Sequence, residues 1–403
     1  MSVGGYSRDD AARKAGVEPE YVDRLVELGF LSPGRGEVFA TGDVRRARWV
    51  RSLELSGVPL EGMAAAVRNG VLSFSYLDAS AFDRFAGMST TTFSELSEST
   101  GVPLSLLQVI REAFGYAEPR PDDLVREDER SIVPVIELQL SKGFRPTVIE
   151  RWLRVYAEGL RRIAETETSW WRTEVEQPML RAGMTESQML QAQAEFGSVM
   201  APLMEQAIVA MYHGQQEHAW TKSGLEDVEG ALEKAGLHRR LRRPPAMCFL
   251  DITGYTRLTE ERGDDAAAEL AAEVARLVRR SSREHGGEPV KWLGDGVMFY
   301  FPDPAPSVVA ALEIVEGVAS HELPPAHVGI HAGPVVFQDG DYFGRTVNLA
   351  ARIAEYARPG EVLVSQDVVD VAKATRVTFT DVGQVELKGV SGTMHLHSAA
   401  RAV

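Results

Sequence analysis

The fold of this chain is constrained most by two apolar runs, each of which ends in an aspartate with a glycine within three residues. Residues 247–258 read MCFLDITGYTRL, and residues 290–301 read VKWLGDGVMFYF. Each run predicts a buried strand, because short apolar segments bounded by glycine are typical of sheet interiors. Asp251 leaves the first strand, and Asp295 lies at the tip of a tight strand-turn-strand. If the strands are neighbours, both carboxylates can face one divalent-cation site, and oxygen ligands suit Mg²⁺ or Mn²⁺.

The elements around these runs predict a mixed fold. Strand 246–252, helix 256–285, hairpin 288–301, helix 304–321 and strand 327–338 follow one another in the order of a ferredoxin-like βαββαβ core. The residues before this core read mainly as helices. The predicted class is therefore α+β, with an all-α N-terminal region followed by the mixed domain.

Three further motifs follow Asp295. They are GIHAGPV at 329–335, DYFGRTVNLAAR at 341–352 and ELKG at 386–389. Together with the two aspartates, they resemble the catalytic domain of the class III nucleotidyl cyclases, in the order and at the spacing of that family. The resemblance implies an enzyme that forms a cyclic nucleotide and pyrophosphate at a site between two catalytic domains. A homodimer is therefore expected.

The resemblance also implies the metal ligands. Asp251 and Asp295 would bind two Mg²⁺ or Mn²⁺ ions per site, and the backbone carbonyl of Ile252 would be a further ligand. Metals held there would activate the ribose 3′-hydroxyl for attack on the α-phosphate. The chain departs from the family at Gly296, where alanine is frequent, and at Arg345, where aspartate or asparagine is frequent.

Lys291 and Asp341 resemble the pair that selects the purine in this family. Lysine donates and aspartate accepts, which suits the ring-nitrogen acceptor and exocyclic amine of adenine. Asp339 lies close enough in sequence to take the aspartate role, but Asp341 precedes Asn348 by the family spacing. Guanylyl cyclases of this family usually place other residues at both positions. ATP is therefore the expected substrate, and GTP is the alternative.

Asn348 and Arg352 are four residues apart, so a helix over 347–357 would place them on one face. The resemblance implies that Asn348 orients the ribose and that Arg352 neutralises charge on the α-phosphate. Lys388, before Gly389, would hold the terminal phosphates as a point charge.

Length and composition limit the other classes of function. A chain of 403 residues favours two or three domains. The net charge of −15 argues against general affinity for nucleic acid. The single cysteine, Cys248, excludes an intrachain disulfide, and no apolar segment is long enough to cross a membrane. We therefore expect a cytoplasmic protein without a membrane span.

Short helices over residues 5–70, with residues 36–39 (GEVF) at the place of the wing, resemble the helix-turn-helix of the MerR-type regulators. We assign residues 1–80 to this domain. Helix 18–28, at the place of the DNA-reading helix, carries four acidic residues that phosphates would repel. Strong nucleic-acid binding is therefore not expected. The pattern of residues 6–17 appears again at 93–102, which predicts an internal helical repeat.

Residues 81–237 read as a helical domain that resembles the regulatory region of some actinobacterial class III cyclases, a family in which pH-dependent regulation is known. A small molecule or pH is therefore the expected effector. A basic, proline-ended linker over 238–245 leads into the catalytic domain at 246–403. A membrane-surface patch is the minor alternative for the linker.

These observations favour an adenylate cyclase that converts ATP to 3′,5′-cyclic AMP under the control of its N-terminal region. Two alternatives stay open at this point. One is a guanylate cyclase, and the other is a nucleotide-sensing transcription regulator with a MerR-like DNA-binding domain.

Overall fold

The computed structural model describes residues 5–85, 87–237, 243–294, 296–321, 323–372 and 377–402. Asp295 and most of the expected linker, residues 238–242, lie outside the described residues. The chain divides into two units, Met1–Leu225 and Glu226–Val403. The finer division predicted at residues 80 and 81 stays a prediction. Within the described ranges, no helix has both the length and the apolar character that crossing a bilayer requires.

The first unit contains a helical motif that occurs twice. The first copy comprises α1 (Arg8–Ala15), α2 (Pro19–Glu27), α3 (Thr41–Leu55) and α4 (Leu60–Arg68). The second copy comprises β1 (Met88–Thr92), α5 (Phe93–Thr100), α6 (Leu104–Ala113), β2 (Leu124–Arg126), α7 (Glu127–Ser141) and α8 (Pro146–Trp171). α5 begins 85 positions after α1 (93 − 8), and α7 begins 86 positions after α3 (127 − 41). A bridge between Tyr6 and Phe39 takes the place of the β1–β2 pair. The predicted repeat is therefore present in the structure.

Side chains at the helix ends explain why both copies begin alike. Ser7 caps α1 by accepting a hydrogen bond from the Asp10 amide at 3.2 Å. Thr92 caps α5 in the same way, by accepting from the Glu95 amide at 3.2 Å, and the Thr92 amide donates to Glu95 Oε2 at 2.8 Å. These bonds satisfy amides that the first helical turn leaves unpaired. Gly16 ends α1 in the left-handed conformation, which glycine adopts without strain.

The remainder of the first unit is helical. It comprises two short 3-10 helices (Ser75–Asp78 and Ser80–Phe82), a π-helical segment (Arg172–Glu176), α9 (Gln177–Arg181) and the long α10 (Glu186–Lys234), which continues past the end of the unit. The two copies of the motif have separate hydrophobic cores.

The second unit is built on a seven-stranded sheet. Its elements are β3 (Ala246–Ile252), α11 (Tyr255–Arg262), α12 (Asp264–Glu284), β4 (Glu288–Leu293), β5 (Gly296–Phe301), α13 (Pro304–Ser320), β6 (Ala326–Ala332), β7 (Val336–Gln338), β8 (Asp341–Phe343), α14 (Arg345–Tyr356), β9 (Val362–Ser365), α15 (Gln366–Ala372), β10 (Val377–Glu386) and β11 (Thr393–Arg401). The strand order is β10-β11-β9-β6-β3-β5-β4. β3 pairs antiparallel with both β5 and β6, which confirms the ferredoxin-like core and the α+β class.

One predicted helix is divided. The sequence pattern favoured a single helix over 256–285, but the structure ends α11 at Arg262 and starts α12 at Asp264. Gly263 between them has a φ of 84°, which a right-handed helix does not contain.

Alternation along β3 separates the two faces of the sheet. Cys248 and Leu250 face the main core, which α12 and α13 cover. Met247 and Phe249 face the opposite way, toward Ala350 of α14. The period of two places Asp251 on this second face, which is called the α14 face below. Burial raises the pKa of the Cys248 thiol, so this side chain is an inert part of the core.

Candidate active site

Asp251 lies at the carboxyl end of β3 on the α14 face. The strand register places it opposite His327 of β6, and its Oδ2 is 3.6 Å from His327 Nε2. Burial lowers the pKa of His327, against the opposing effect of Asp251. Burial therefore favours the neutral imidazole, and the half-exposed Asp251 carboxylate is accessible to a cation. No sequence motif points to His327 as a neighbour of Asp251, because the contact depends on the register in which β3 and β6 pair.

Gly296, which follows Asp295 in the chain, lies against the same carboxylate. A Cβ at Gly296 would be 2.9 Å from the Leu250 carbonyl oxygen and 3.6 Å from Asp251 Oδ1. The start of β5 therefore lies beside the end of β3, where the two aspartates are predicted to meet. Because Asp295 lies outside the described residues, its role stays a prediction. The buried side chain of Ile252 is a hydrocarbon without a donor atom, so only its backbone carbonyl can bind a metal.

Lys291 and Asp341 form a direct ion pair. Lys291 Nζ donates a hydrogen bond to Asp341 Oδ2 at 3.0 Å, and the other oxygen, Oδ1, accepts from the Tyr342 amide at 2.9 Å. Lys291 is opposite Met298 in the sheet, which places it on the α14 face. Asp339, the competing candidate, accepts a bond from Gln338. The structure thus brings together Asp341 and Lys291, the two residues that the resemblance treats as a pair.

Aromatic stacking holds the hairpin that carries Asp341. The Tyr342 ring stacks on Tyr300 of β5, with centroids 4.5 Å apart and an interplanar angle of 11°. Its hydroxyl donates to Glu288 Oε1 at 3.3 Å, and Phe337 packs against the same ring at 5.0 Å. These contacts fix β8 over β4 and β5, so the Lys291–Asp341 pair rests on a rigid support.

Asn348 and Arg352 lie on α14, four residues apart and exposed, as predicted. Arg352 donates to Glu355, and this bond is the main reason that the pKa of the Glu355 carboxyl is lowered. Lys388 also lowers that pKa, so it lies near the same carboxylate. The structure therefore groups two of the predicted phosphate-binding cations around Glu355, a residue that the sequence analysis did not single out.

Gly329 of β6 allows α14 to lie close to the sheet. A Cβ at this position would be 2.0 Å from the Ala354 amide nitrogen and 2.6 Å from the Ala354 Cα. Both are backbone atoms, which cannot rotate away. α14 can therefore hold Asn348 and Arg352 this close to the sheet only because residue 329 of β6 is a glycine.

We expect Gly329→Ala to lower the free energy of unfolding by about 1–3 kcal/mol, because the added methyl group overpacks the interface between β6 and α14. Gly317→Ala is the matched control. Its Cβ would meet only the Leu277 side chain at 3.4 Å, so in α13 it should be neutral or stabilise by up to about 1 kcal/mol. Urea denaturation of both variants checks this, and equal midpoints would contradict the close approach of α14 to β6.

A cavity of about 900 Å³ lies beside these residues rather than at them. Its lining includes His331, Gly333, Arg345, Thr346 and Asp367, and none of the described candidates for metal, purine or phosphate contacts. Those candidates instead occupy an open face of the single chain. Such a face becomes an enclosed site only when something covers it.

Comparisons with known proteins relate both parts of the chain to adenylate cyclases. A model of the adenylate and guanylate cyclase catalytic domain matches residues 243–399, and a model of the adenylate cyclase regulatory domain matches residues 39–219. The pH-sensitive adenylate cyclase MT1302 of Mycobacterium tuberculosis is 31% identical over 318 residues, which cover 76% of this chain and 77% of that protein.

Two further similarities concern an enzyme and a solved structure. An adenylate cyclase of Streptomyces coelicolor is 27% identical over 73% of this chain and 71% of its own length. The crystal structure of the adenylyl cyclase CyaB from P. aeruginosa aligns with 40% of this chain and 95% of its own, at 23% identity and a TM-score of 0.37. The family membership therefore rests on the sequence matches.

Proposed function

This chain belongs to the class III adenylate cyclases, and on that premise we propose which of its residues turn ATP into 3′,5′-cyclic AMP and pyrophosphate. The protein is an adenylate cyclase with a regulatory domain before its catalytic domain. The observation that carries the residue assignment is the Lys291–Asp341 pair on the sheet face that also carries Asp251. The direct test is to measure the cyclic product from ATP and from GTP.

Asp251 and Asp295 hold the divalent ions of this reaction, Mg²⁺ or Mn²⁺ and two per site, with the Ile252 carbonyl as a further ligand. The all-oxygen donor set suits these ions, and the exposed end of β3 lets them reach Asp251. When bound, such ions supply positive charge that favours the ribose 3′-alkoxide and the departing pyrophosphate. The neutral His327 beside Asp251 adds no charge that would compete with them.

Lys291 and Asp341 recognise adenine. Without nucleotide, the lysine donor and the carboxylate acceptor satisfy each other at 3.0 Å. When adenine enters between them, Lys291 donates to the ring nitrogen and Asp341 accepts from the exocyclic amine. Each group then exchanges one partner for another, so neither is left unpaired.

We expect Lys291→Glu to lower kcat/KM for ATP by at least about 10²-fold, because an acceptor replaces a required donor and leaves adenine unpaired. Arg280→Glu is the matched control. It reverses a charge on α12, where Arg280 pairs with Glu284 away from the α14 face. Steady-state rates with ATP and GTP check this. An unchanged ATP rate in Lys291→Glu would remove Lys291 as the selector.

Asn348, Arg352 and Lys388 contact the ribose and phosphates. Arg352 neutralises charge that develops on the α-phosphate, Asn348 orients the ribose, and Lys388 binds the terminal phosphates. In the single chain, Arg352 and Lys388 lie near Glu355. A nucleotide phosphate would replace Glu355 as the partner of Arg352.

The site lies between two copies of the chain. Asp251 and Asp295 come from one copy, and Lys291, Asp341, Asn348, Arg352 and Lys388 come from the other. Exposed apolar side chains beside the purine pair support this proposal. They are Phe337 (63% exposed), Phe343 (50%) and Leu293 (47%). Water-exposed apolar groups of this size, clustered around polar site residues, are typical of a surface that a partner covers.

The N-terminal unit controls the cyclase rate. Exposed apolar residues along α8 and α10, including Leu160, Leu203 and Met211, offer a second surface for a partner copy.

A chain that starts at Arg243 should differ from the full chain by at least about tenfold in rate, because a shift of about 1 Å at the site costs on the order of 10²-fold. Identical rates at every enzyme concentration would contradict control. A small molecule or pH as the effector stays a prediction.

The alternative of a DNA-binding regulator is less well supported. Three arginines of α3 could have served as phosphate contacts, but they are already in ion pairs within the first unit. These pairs are Arg45–Asp83, Arg46–Asp78 and Arg51–Glu54. A paired guanidinium gains less from a phosphate than a free one.

A further inference from the structure

The last two strands of the sheet carry two histidines and an aspartate in one cluster. Asp381 of β10 accepts a hydrogen bond from His395 Nε2 of β11 at 2.7 Å. The rings of His395 and His397 are 4.6 Å apart. One ligand atom of each residue lies within 4.8 Å of the other two. Three groups that bind transition metals thus converge on one point of the sheet.

This cluster is on the opposite face from the candidate active site. Leu396, between the two histidines, packs with Ile353 of α14. Because side chains alternate along a strand, His395 and His397 point the other way, toward α15. A bulge in β10 between Asp381 and Gly383 breaks the regular pairing, and Asp381 Oδ1 accepts from the Gly383 amide at 2.7 Å. The bulge therefore fixes where the carboxylate points.

Hydrogen bonds select the tautomer of His397. Gln366 Nε2 donates to Asp370 at 2.9 Å, and since a carboxylate only accepts, this bond fixes which way the amide faces. Gln366 Oε1 then faces His397 Nε2 at 2.7 Å, so Nε2 must carry the proton. The lone pair of the neutral ring is consequently on Nδ1. A carboxylate–amide–imidazole chain of this kind typically orients a metal-binding histidine.

We propose that Asp381, His395 and His397 form a binding site for a transition-metal dication of the Zn²⁺ type. The site is separate from the Mg²⁺ or Mn²⁺ site of the reaction. Imidazole nitrogen favours Zn²⁺, Cu²⁺ or Ni²⁺, whereas oxygen-only sites favour Mg²⁺ and Mn²⁺. Ligand atoms about 2.0–2.1 Å from a tetrahedral ion lie roughly 3.3 Å apart, which small side-chain movements reach here. Water fills the fourth position.

A bound ion would replace the Asp381–His395 hydrogen bond and join β10 to β11. The turn between these strands carries Lys388, so the ion would also restrain the loop that holds the terminal phosphates.

Isothermal titration of the untagged full chain with Zn²⁺, in excess Mg²⁺, tests the proposal. We expect one Zn²⁺ per chain at this site. His395→Gln and His397→Gln should weaken it by more than about 100-fold, and Gln366→Ala by about 10–100-fold through loss of orientation. His321→Gln, which changes an exposed histidine at the end of α13, is the matched control and should bind like the wild type.

Thermal denaturation provides a second measurement on the same proteins. Zn²⁺ should raise the Tm of the wild type and His321→Gln, and not that of His395→Gln. X-ray absorption of the Zn²⁺-loaded wild type should show two imidazole ligands, and it decides the question if a variant does not fold. Equal affinities in His395→Gln and wild type, displacement of Zn²⁺ by Mg²⁺, or a first shell without imidazole would each overturn the proposal.

Discussion

Asp251→Ala should lower kcat for cyclic AMP formation by at least about 10³-fold with either Mg²⁺ or Mn²⁺, because it removes the charge that holds the metals at the reacting oxygens. The fold should change little. The Asp251 side chain is half exposed, and it approaches His327 no closer than 3.6 Å. Steady-state rates measure the loss of catalysis. Tm and size-exclusion chromatography measure the effect on the fold.

Asp339→Asn is the matched control for this experiment. It neutralises another aspartate of the same unit, on the β7–β8 turn, where Asp339 accepts a bond from Gln338. Asparagine tolerates the positive φ of 54° at this position, so the turn should keep its shape. Its rate should stay within about twofold of the wild type, since neutral surface changes rarely matter. A near-normal rate in Asp251→Ala, with the control also normal, would rule out Asp251 as a metal ligand.

Local patterns were sufficient to predict much of the catalytic unit. Strand, helix, hairpin, helix and strand follow from apolar runs and glycines that are close in sequence, and the sheet order confirms them. The resemblance to the class III cyclases implied that Lys291 and Asp341 act as a pair, and the structure places their side chains in contact. The repeat in the first unit could also be predicted, because corresponding helices of its two copies begin at a nearly constant distance from each other in the sequence.

Features that depend on strand register could not be predicted. His327 meets Asp251 because β3 and β6 pair in a particular register, and nothing near either residue in the sequence encodes that register. The Asp381–His395–His397 cluster likewise requires the bulge in β10. Glu355 was within reach of sequence reasoning, since it is three residues after Arg352 on one helix. It was missed because a glutamate three residues after an arginine on a helix is typical of an ordinary solvent-exposed ion pair.

Mixing Asp251→Ala chains with Arg352→Ala chains should restore activity that neither variant has alone. Each site takes its metal ligands from one chain and its phosphate ligands from the other. In a mixed dimer, one site therefore keeps both intact halves, and the other site loses both. Equal mixing gives half mixed dimers with one working site of two, so recovery should approach about a quarter of the wild-type rate.

Mixing Asp251→Ala with Asp295→Ala is the matched control for complementation. Both substitutions affect the same half, so every site in every dimer lacks a metal ligand, and no activity should return. Tagging the two chains differently and purifying on both tags shows that mixed dimers form. If mixed dimers of Asp251→Ala and Arg352→Ala stay inactive, each chain must build its own site. If the control pair regains activity as well, the regained activity does not come from a site divided between two chains.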